Sequence, residues 1–186
     1  MSEVSAIKDI ETIKLVSLLL KKRYGQQMAD VWDLGLNLAL RISDLLSIQF
    51  SHISGNRLTV RESKTGKQAT ILLNPKAMDI INRIRLDNPY HLYVFQSHRS
   101  RYSLNKTPRP LTRRAVSKAF KEIGDELGLS LGTHSMRKTR GFHLYNATND
   151  LARVMKMLRH SSEAHTLRYI GMTQQDVDTD FRELVL

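Results

Sequence analysis

The 186-residue chain contains no cysteine. That excludes disulfides, thiolate metal sites and cysteine nucleophiles, and it fits an intracellular compartment. Prolines number only four, and no stretch has the composition of a flexible linker or low-complexity segment. Internal repeats are absent, and no apolar run approaches the ~20 residues that a membrane span needs. The opening "MSEVSAIKDIETIKLVSLLL" sets acids ahead of its apolar stretch, so it lacks the basic start of a signal peptide. Acids are nonetheless the scarcer charge: 18 Asp plus Glu stand against 29 Lys plus Arg, a formal net charge of +11. That excess favours an anionic partner, of which nucleic acid is the commonest, with solubility as the plainer alternative. The expectation is a cytoplasmic protein that makes no membrane contact.

What is present is enough for one domain with a core: 41% hydrophobic and 25% charged residues. Helices are expected at 11–23 and 26–40, the second densely apolar through Met28, Val31, Trp32, Leu34, Leu36, Leu38 and Leu40. "RISDLLSIQF" (41–50) reads as a continuing helix with Ile42, Leu45, Leu46 and Phe50 inward. Alternation through 57–61 and an apolar run at 69–73 flank "SKTGK", where Gly66 supplies a positive φ, so a β-hairpin is expected. Pro75 opens a helix over 75–86. Residues 96–121 hold Arg99, Arg101, Lys106, Arg109, Arg113, Arg114, Lys118 and Lys121 and no acid. The first half of that segment reads as loop. From Thr112, a plausible N-cap, Val116, Phe120, Ile123 and Leu127 form one helical stripe that leaves the later cations facing outward. Further helices are expected at 134–147, 150–158, 163–170 and 174–183, the last acidic. The fold class is therefore α+β, mostly α, with a small antiparallel β-sheet.

"GTHSMRKTRGFHLYNA" (132–147) concentrates cations at a helix start. With Thr133 as cap, His134 falls in the first turn and Arg137 shares its face. Free N–H groups, an imidazole and a guanidinium together make an anion site. A surface His and Arg without function are equally compatible with these residues. Arg41 lies in an apolar segment, "LALRISDLL", and a buried arginine needs a partner or an anionic ligand. Asp44, three residues on, is expected to orient it by ion pairing, either for function or as a structural pair. In "LRHSSEAHTLRYIG", Ser161 and Ser162 look like an N-cap that starts a new helix. His160 then sits at the break, and Tyr169 on the following helix can converge with it. The plainer readings are a helix-capping histidine and a half-buried core tyrosine.

Arg41 in "ALRISDLL", Lys64 in "SKTGK", His134-x-x-Arg137, His160 in "LRHSS" and Tyr169 nine residues later resemble, in order and spacing, the catalytic domain of the tyrosine recombinase (phage integrase) family. The resemblance spans residues from about 10 to 175. Asp44 stands where many members have Glu. The residues ahead of the catalytic region are too few for the N-terminal core-binding domain of most members, a feature shared with a small subset that includes fimbrial inversion recombinases.

The resemblance implies strand cleavage and rejoining without metal, nucleotide or other cofactor, through a covalent 3′-phosphotyrosine. Tyr169 would be the nucleophile, Arg41 and Arg137 would hold the phosphate oxygens, and His160 would add a hydrogen bond. His134 would accept or relay the phenol proton, and Lys64 would protonate the leaving 5′-oxygen. Lys67 is a rival for the last role on residue type alone, as Tyr145 and Tyr90 are for the nucleophile, and His143 and His165 also lie near the site in sequence. The basic segment from Arg99 to Lys121 would hold the DNA backbone. Residues 1–173 would form the catalytic domain and 174–186 a tail that packs on a neighbouring protomer. Implied partners are a double-stranded recombination site, a homo-tetramer on DNA and accessory DNA-bending proteins, in a bacterial, nucleoid-associated setting. Two other outcomes fit the same residues: topoisomerase IB-like strand passage, and a regulator that binds DNA without cutting it.

Overall fold

The computed structural model describes residues 4–97, 107–172, 178, 181–183 and 185. Arg99, Arg101 and Lys106, and most of the expected 174–183 helix and 174–186 tail, lie outside the described residues. No described helix is long and apolar enough to cross a membrane.

The described residues include α1 (Ile10–Tyr24), α2 (Gln26–Leu38), α3 (Ile42–Leu46), β1 (Ile53–Ser54), β2 (Arg57–Arg61), β3 (Gln68–Leu72), α4 (Pro75–Asp87), α5 (Arg113–Leu127), α6 (Ser135–Thr148), α7 (Leu151–Leu158) and α8 (Glu163–Ile170), and residues 178 and 181–183 are helical as well. The helix starts are set by short polar side chains that accept from free N–H groups: Asp9 from Thr12, Asn74 from Ala77, Thr112 from Ala115 and Ser162 from His165. The sheet is antiparallel in the order β1-β2-β3, and Val60 pairs with Ala69 across the hairpin. Gly66 turns that hairpin with a φ of 67°.

The main core forms around α2, where Val31, Trp32 and Leu34 are fully buried. Trp32 meets Phe120 of α5 edge-on at 5.4 Å between ring centroids. A second, smaller core joins Val154, Leu158 and Ile170 of α7 and α8 to Ala39 at the end of α2. The expected continuous helix over 26–50 is not formed. Ala39 takes a left-handed φ of 50°, α2 stops at Leu38, and α3 runs only to Leu46 before a 3-10 turn at Phe50–His52. The apolar pattern persists through this break because both sides face the same core. The break matters to function, since it swings Arg41 out of the helix line and to the seam between the two cores.

Candidate active site

A cleft of about 430 Å³ opens at that seam, lined by Arg41, Lys64, His134, Arg137, Arg159, His160, His165 and Tyr169 together with Thr65, Ser161 and Ser162. Five stretches of chain supply it: the α2–α3 break, the β2–β3 turn, the start of α6, the α7–α8 junction and α8. The six residues singled out by their motifs thus come to one place.

Arg137 holds the parts together. It is 2% exposed, and a buried guanidinium needs acceptors on every side. Its Nη1 donates to the Ala39 carbonyl at 2.5 Å and its Nη2 donates to the Leu158 carbonyl. Those carbonyls close α2 and α7, where unpaired C=O groups and the negative helix ends favour a cation. Arg137 therefore splices the residue two before Arg41 to the residue two before His160.

Tyr169 projects from α8 with its Oη 3.2 Å from His134 Nδ1. Its ring packs edge-on against His160 at 4.9 Å, and Lys138 Nζ lies 5.3 Å from its centroid. Burial raises the pKa of the phenol, while the charge of Arg137, a hydrogen bond with it and the charge of Arg41 pull the other way. Loss of hydration, then the charges of Arg113, Arg137, Lys138 and Arg41, lower the pKa of His134. A neutral His134 is thereby favoured, and its Nδ1 is placed to accept the phenol proton. His160 is pushed down to about 4 by burial and by Arg137, His165, Arg41 and Lys64. Its Nδ1 lies 3.2 Å from Thr166 Oγ1.

Two expectations are corrected. Thr133 does not cap α6: the N-cap position is His134 itself, with no side-chain cap, and Gly132 N–H donates to Ser135 Oγ instead. Asp44 does not pair with Arg41. Its Oδ1 accepts the Ser63 N–H at 2.9 Å and so ties the β2–β3 turn to α3. Arg41 Nη1 pairs at 3.1 Å with Glu62, whose side chain is 1% exposed. Glu62 also pairs with Arg159 at 2.5 Å and accepts from the Thr65 hydroxyl at 2.8 Å. Burial acts to raise the Glu62 pKa, but the Thr65 hydrogen bond and the charges of Arg159 and Arg41 outweigh it and leave it lowered. Glu62, Arg159 and Thr166 drew no notice in the sequence, and Lys138 drew notice only as one of the cations in 132–147. The only local signal was an acid and a base flanking recognised motifs, Glu62 before Lys64 and Arg159 before His160.

The rivals fall elsewhere. Lys67 does not line the cleft, whereas Lys64 does. Tyr90 is 96% exposed on the surface, Tyr145 packs into the smaller core, and His143 bonds the Ile7 carbonyl through Nε2 at 3.1 Å. His165 does reach the cleft, its ring 4.7 Å from that of His160. Arg109, Arg113, Arg114, Lys118 and Lys121 are exposed. Arg113 and Arg114 are at the start of α5, and the charge of Arg113 reaches His134, so this basic surface borders the cleft.

The model of the phage integrase family matches residues 14–176. The chain is 34% identical over 174 residues to the probable integrase/recombinase YoeC of Bacillus subtilis, covering 92% of this chain and 91% of that protein. It is 25% identical to the tyrosine recombinase XerA of Pyrococcus furiosus but spans only 57% of that relative. Among solved structures, it superposes on a crystal structure of XerA recombinase with a TM-score of 0.72 at 14% identity, covering 98% of this chain and 68% of that one.

Proposed function

The chain belongs to the phage integrase family, and on that premise we propose that it is a site-specific DNA recombinase that cuts and rejoins strands through a covalent 3′-phosphotyrosine. One observation carries the reading: the Tyr169 hydroxyl, a proton acceptor and the cations Arg41, Lys64 and Arg137 share one cleft. Tyr169 Oη attacks the scissile phosphorus and passes its proton to His134 Nδ1. The P–O5′ bond breaks, and Lys64 protonates the departing 5′-oxygen. Arg41, Arg137 and His160 stabilise the charge that builds on the non-bridging oxygens. The phosphotyrosine bond retains the energy of the broken one, so a 5′-hydroxyl from a second strand reseals it with no nucleotide consumed. Strand exchange between two sites, rather than simple relaxation, is the outcome that this family membership supports.

The partner is a double-stranded recombination site held by the basic surface from Arg109 to Lys121, extended by Arg99, Arg101 and Lys106. Such contacts bind phosphates and carry affinity more than sequence. The catalytic unit is 1–173, it assembles as a tetramer on DNA with residues 174–186 packing on a neighbour, and DNA-bending helpers complete the complex on the bacterial nucleoid. The test is a nicked suicide duplex cut from DNA that the protein captures. Wild type forms a covalent adduct on a denaturing gel, and Tyr169→Phe binds the duplex equally but forms none. An adduct that survives Tyr169→Phe removes the nucleophile assignment.

A further inference from the structure

Arg159 occupies a backbone position that does not suit it. It follows the last residue of α7 with a φ of 53°, the left-handed conformation that closes helices and ordinarily takes Gly or Asn. A branched-free but Cβ-bearing residue there costs about 1 kcal/mol. The local fold needs only the turn, with Arg159 N–H bonding Lys156 O and His160 N–H bonding Met155 O, and glycine would supply it without strain. The arginine side chain is used elsewhere. It crosses to the hairpin and pairs with Glu62, 97 residues away in sequence, at 2.5 Å.

All three side-chain partners of Glu62, Arg41, Arg159 and Thr65, are cleft residues. A single oxygen, Oε1, takes one guanidinium from Arg41 and one from Arg159, while Oε2 is held by Thr65 of the turn that carries Lys64. The carboxylate is buried and both arginines line the cleft, so it fixes their spacing from behind. Of the two side chains, Arg159 is the more open, 28% exposed against 19% for Arg41. Arg137, by contrast, is 2% exposed and spends donors on two main-chain carbonyls. A guanidinium has five donors, and the Glu62 pair uses only part of the Arg159 set.

We propose that Arg159 is a further phosphate-binding catalytic residue of this cleft, and that Glu62 is the positioning residue that sets it beside Arg41. The inference rests on the recombinase reading above and adds to it a third guanidinium for the non-bridging oxygens. The charge that accumulates on those oxygens in the transition state meets Arg41, Arg137 and Arg159 from separate elements, and Glu62 keeps the first and last from repelling each other apart.

The test uses the full chain and a nicked duplex of the DNA that the wild-type protein captures covalently, made with an ordinary scissile phosphate or with an uncharged methylphosphonate in its place. Arg159→Gly is the variant of choice, because glycine fits the backbone. Its melting temperature should equal or exceed that of wild type. At saturating DNA its single-turnover cleavage of the ordinary duplex should fall at least tenfold, with partial recovery in Arg159→Lys. On the methylphosphonate duplex, where no charge needs compensating, the deficit should shrink severalfold, and Glu62→Gln should show the same charge-dependent rescue. Cleavage by Arg159→Gly at the wild-type rate, a loss confined to affinity, or a deficit equally large on the neutral duplex each overturns the inference. If wild type captures no DNA from any source, the recombinase reading itself has failed, which is a different result from a wild-type adduct matched by the variant.

Discussion

At His160 the hydrogen bonds decide the tautomer. Thr166 has one hydroxyl proton and gives it to the Ser162 carbonyl at 2.8 Å. Toward His160 Nδ1 it therefore only accepts, so the neutral ring carries its proton on Nδ1 and leaves Nε2 bare. Donating from Nε2 to a phosphate oxygen requires the imidazolium, which the free cleft resists down to about 4. An incoming phosphate favours the charged form. DNA capture near pH 7 should thus take up a proton, read by calorimetry in buffers of different ionisation enthalpy, and His160→Gln should abolish that uptake. Equal uptake in the variant would contradict the assignment. The sign for folding follows too. An unfolded histidine takes its proton near 6.5, the folded one only near 4. Stability should fall as pH drops through that window, and His160→Gln should flatten part of the decline in urea midpoint. The two arginines separate in the same way. Arg41→Ala should lower cleavage by about 10²–10³-fold, the scale of losing one preorganised donor, with little change in melting temperature, since Glu62 keeps Arg159. Arg137→Ala should lose cleavage and stability together, because two helix-end carbonyls are left unpaired at about 1–3 kcal/mol each.

Helices α6, α7 and α8 meet where no side chain intervenes. A Cβ on Gly141 would come within 2.9 Å of Ile170 Cγ2 and 3.2 Å of Leu158 Cδ1. Ile170 adjoins Tyr169, and Leu158 adjoins Arg159, which is followed by His160. Gly141→Ala gains about 1 kcal/mol of helix propensity but overpacks a closed contact at a cost of about 1–3 kcal/mol. It should shift α8 and slow cleavage at least tenfold while DNA affinity holds, as single-turnover rates beside binding curves would show. At this scale the sequence was partly legible. The ends of α5 and α8 follow from Thr112 and Ser162 as caps, and the hairpin from Gly66. The stop at Ala39 was not legible, since hydrophobic periodicity reports which face is buried and is blind to a single left-handed residue within an apolar run. Asp44 misled for a related reason. Three residues separate it from Arg41, but Arg41 is the extended N-cap of α3 (ψ 148°) and so lies outside the helix that carries Asp44, and the true partner, Glu62, arrives through the hairpin. Pairings of that kind depend on tertiary packing, and local spacing does not encode them.

At the scale of the whole molecule, the described residues set the cleft beside a basic surface. The cations of that surface are not equivalent. Lys121 is bound to Asp125 at 2.6 Å and Lys118 to Glu122 at 3.6 Å, whereas Arg113 and Arg114 precede these pairs at the positive end of α5. Arg113→Ala and Arg114→Ala should each weaken binding across all DNA sequences and reduce the slope of log affinity against log salt by about 1, while Lys121→Ala should change it less. A slope that drops as much for Lys121 would contradict this ranking. The central claim is that the Tyr169 phenol is the group that takes the phosphate in this cleft. The most direct measurement is mass spectrometry of the trapped complex after tryptic digestion, which cuts behind Arg168 and releases the peptide 169–182. The account predicts nucleotide mass on Tyr169 in that peptide, and nucleotide mass on Tyr145 or Tyr90 instead would contradict it.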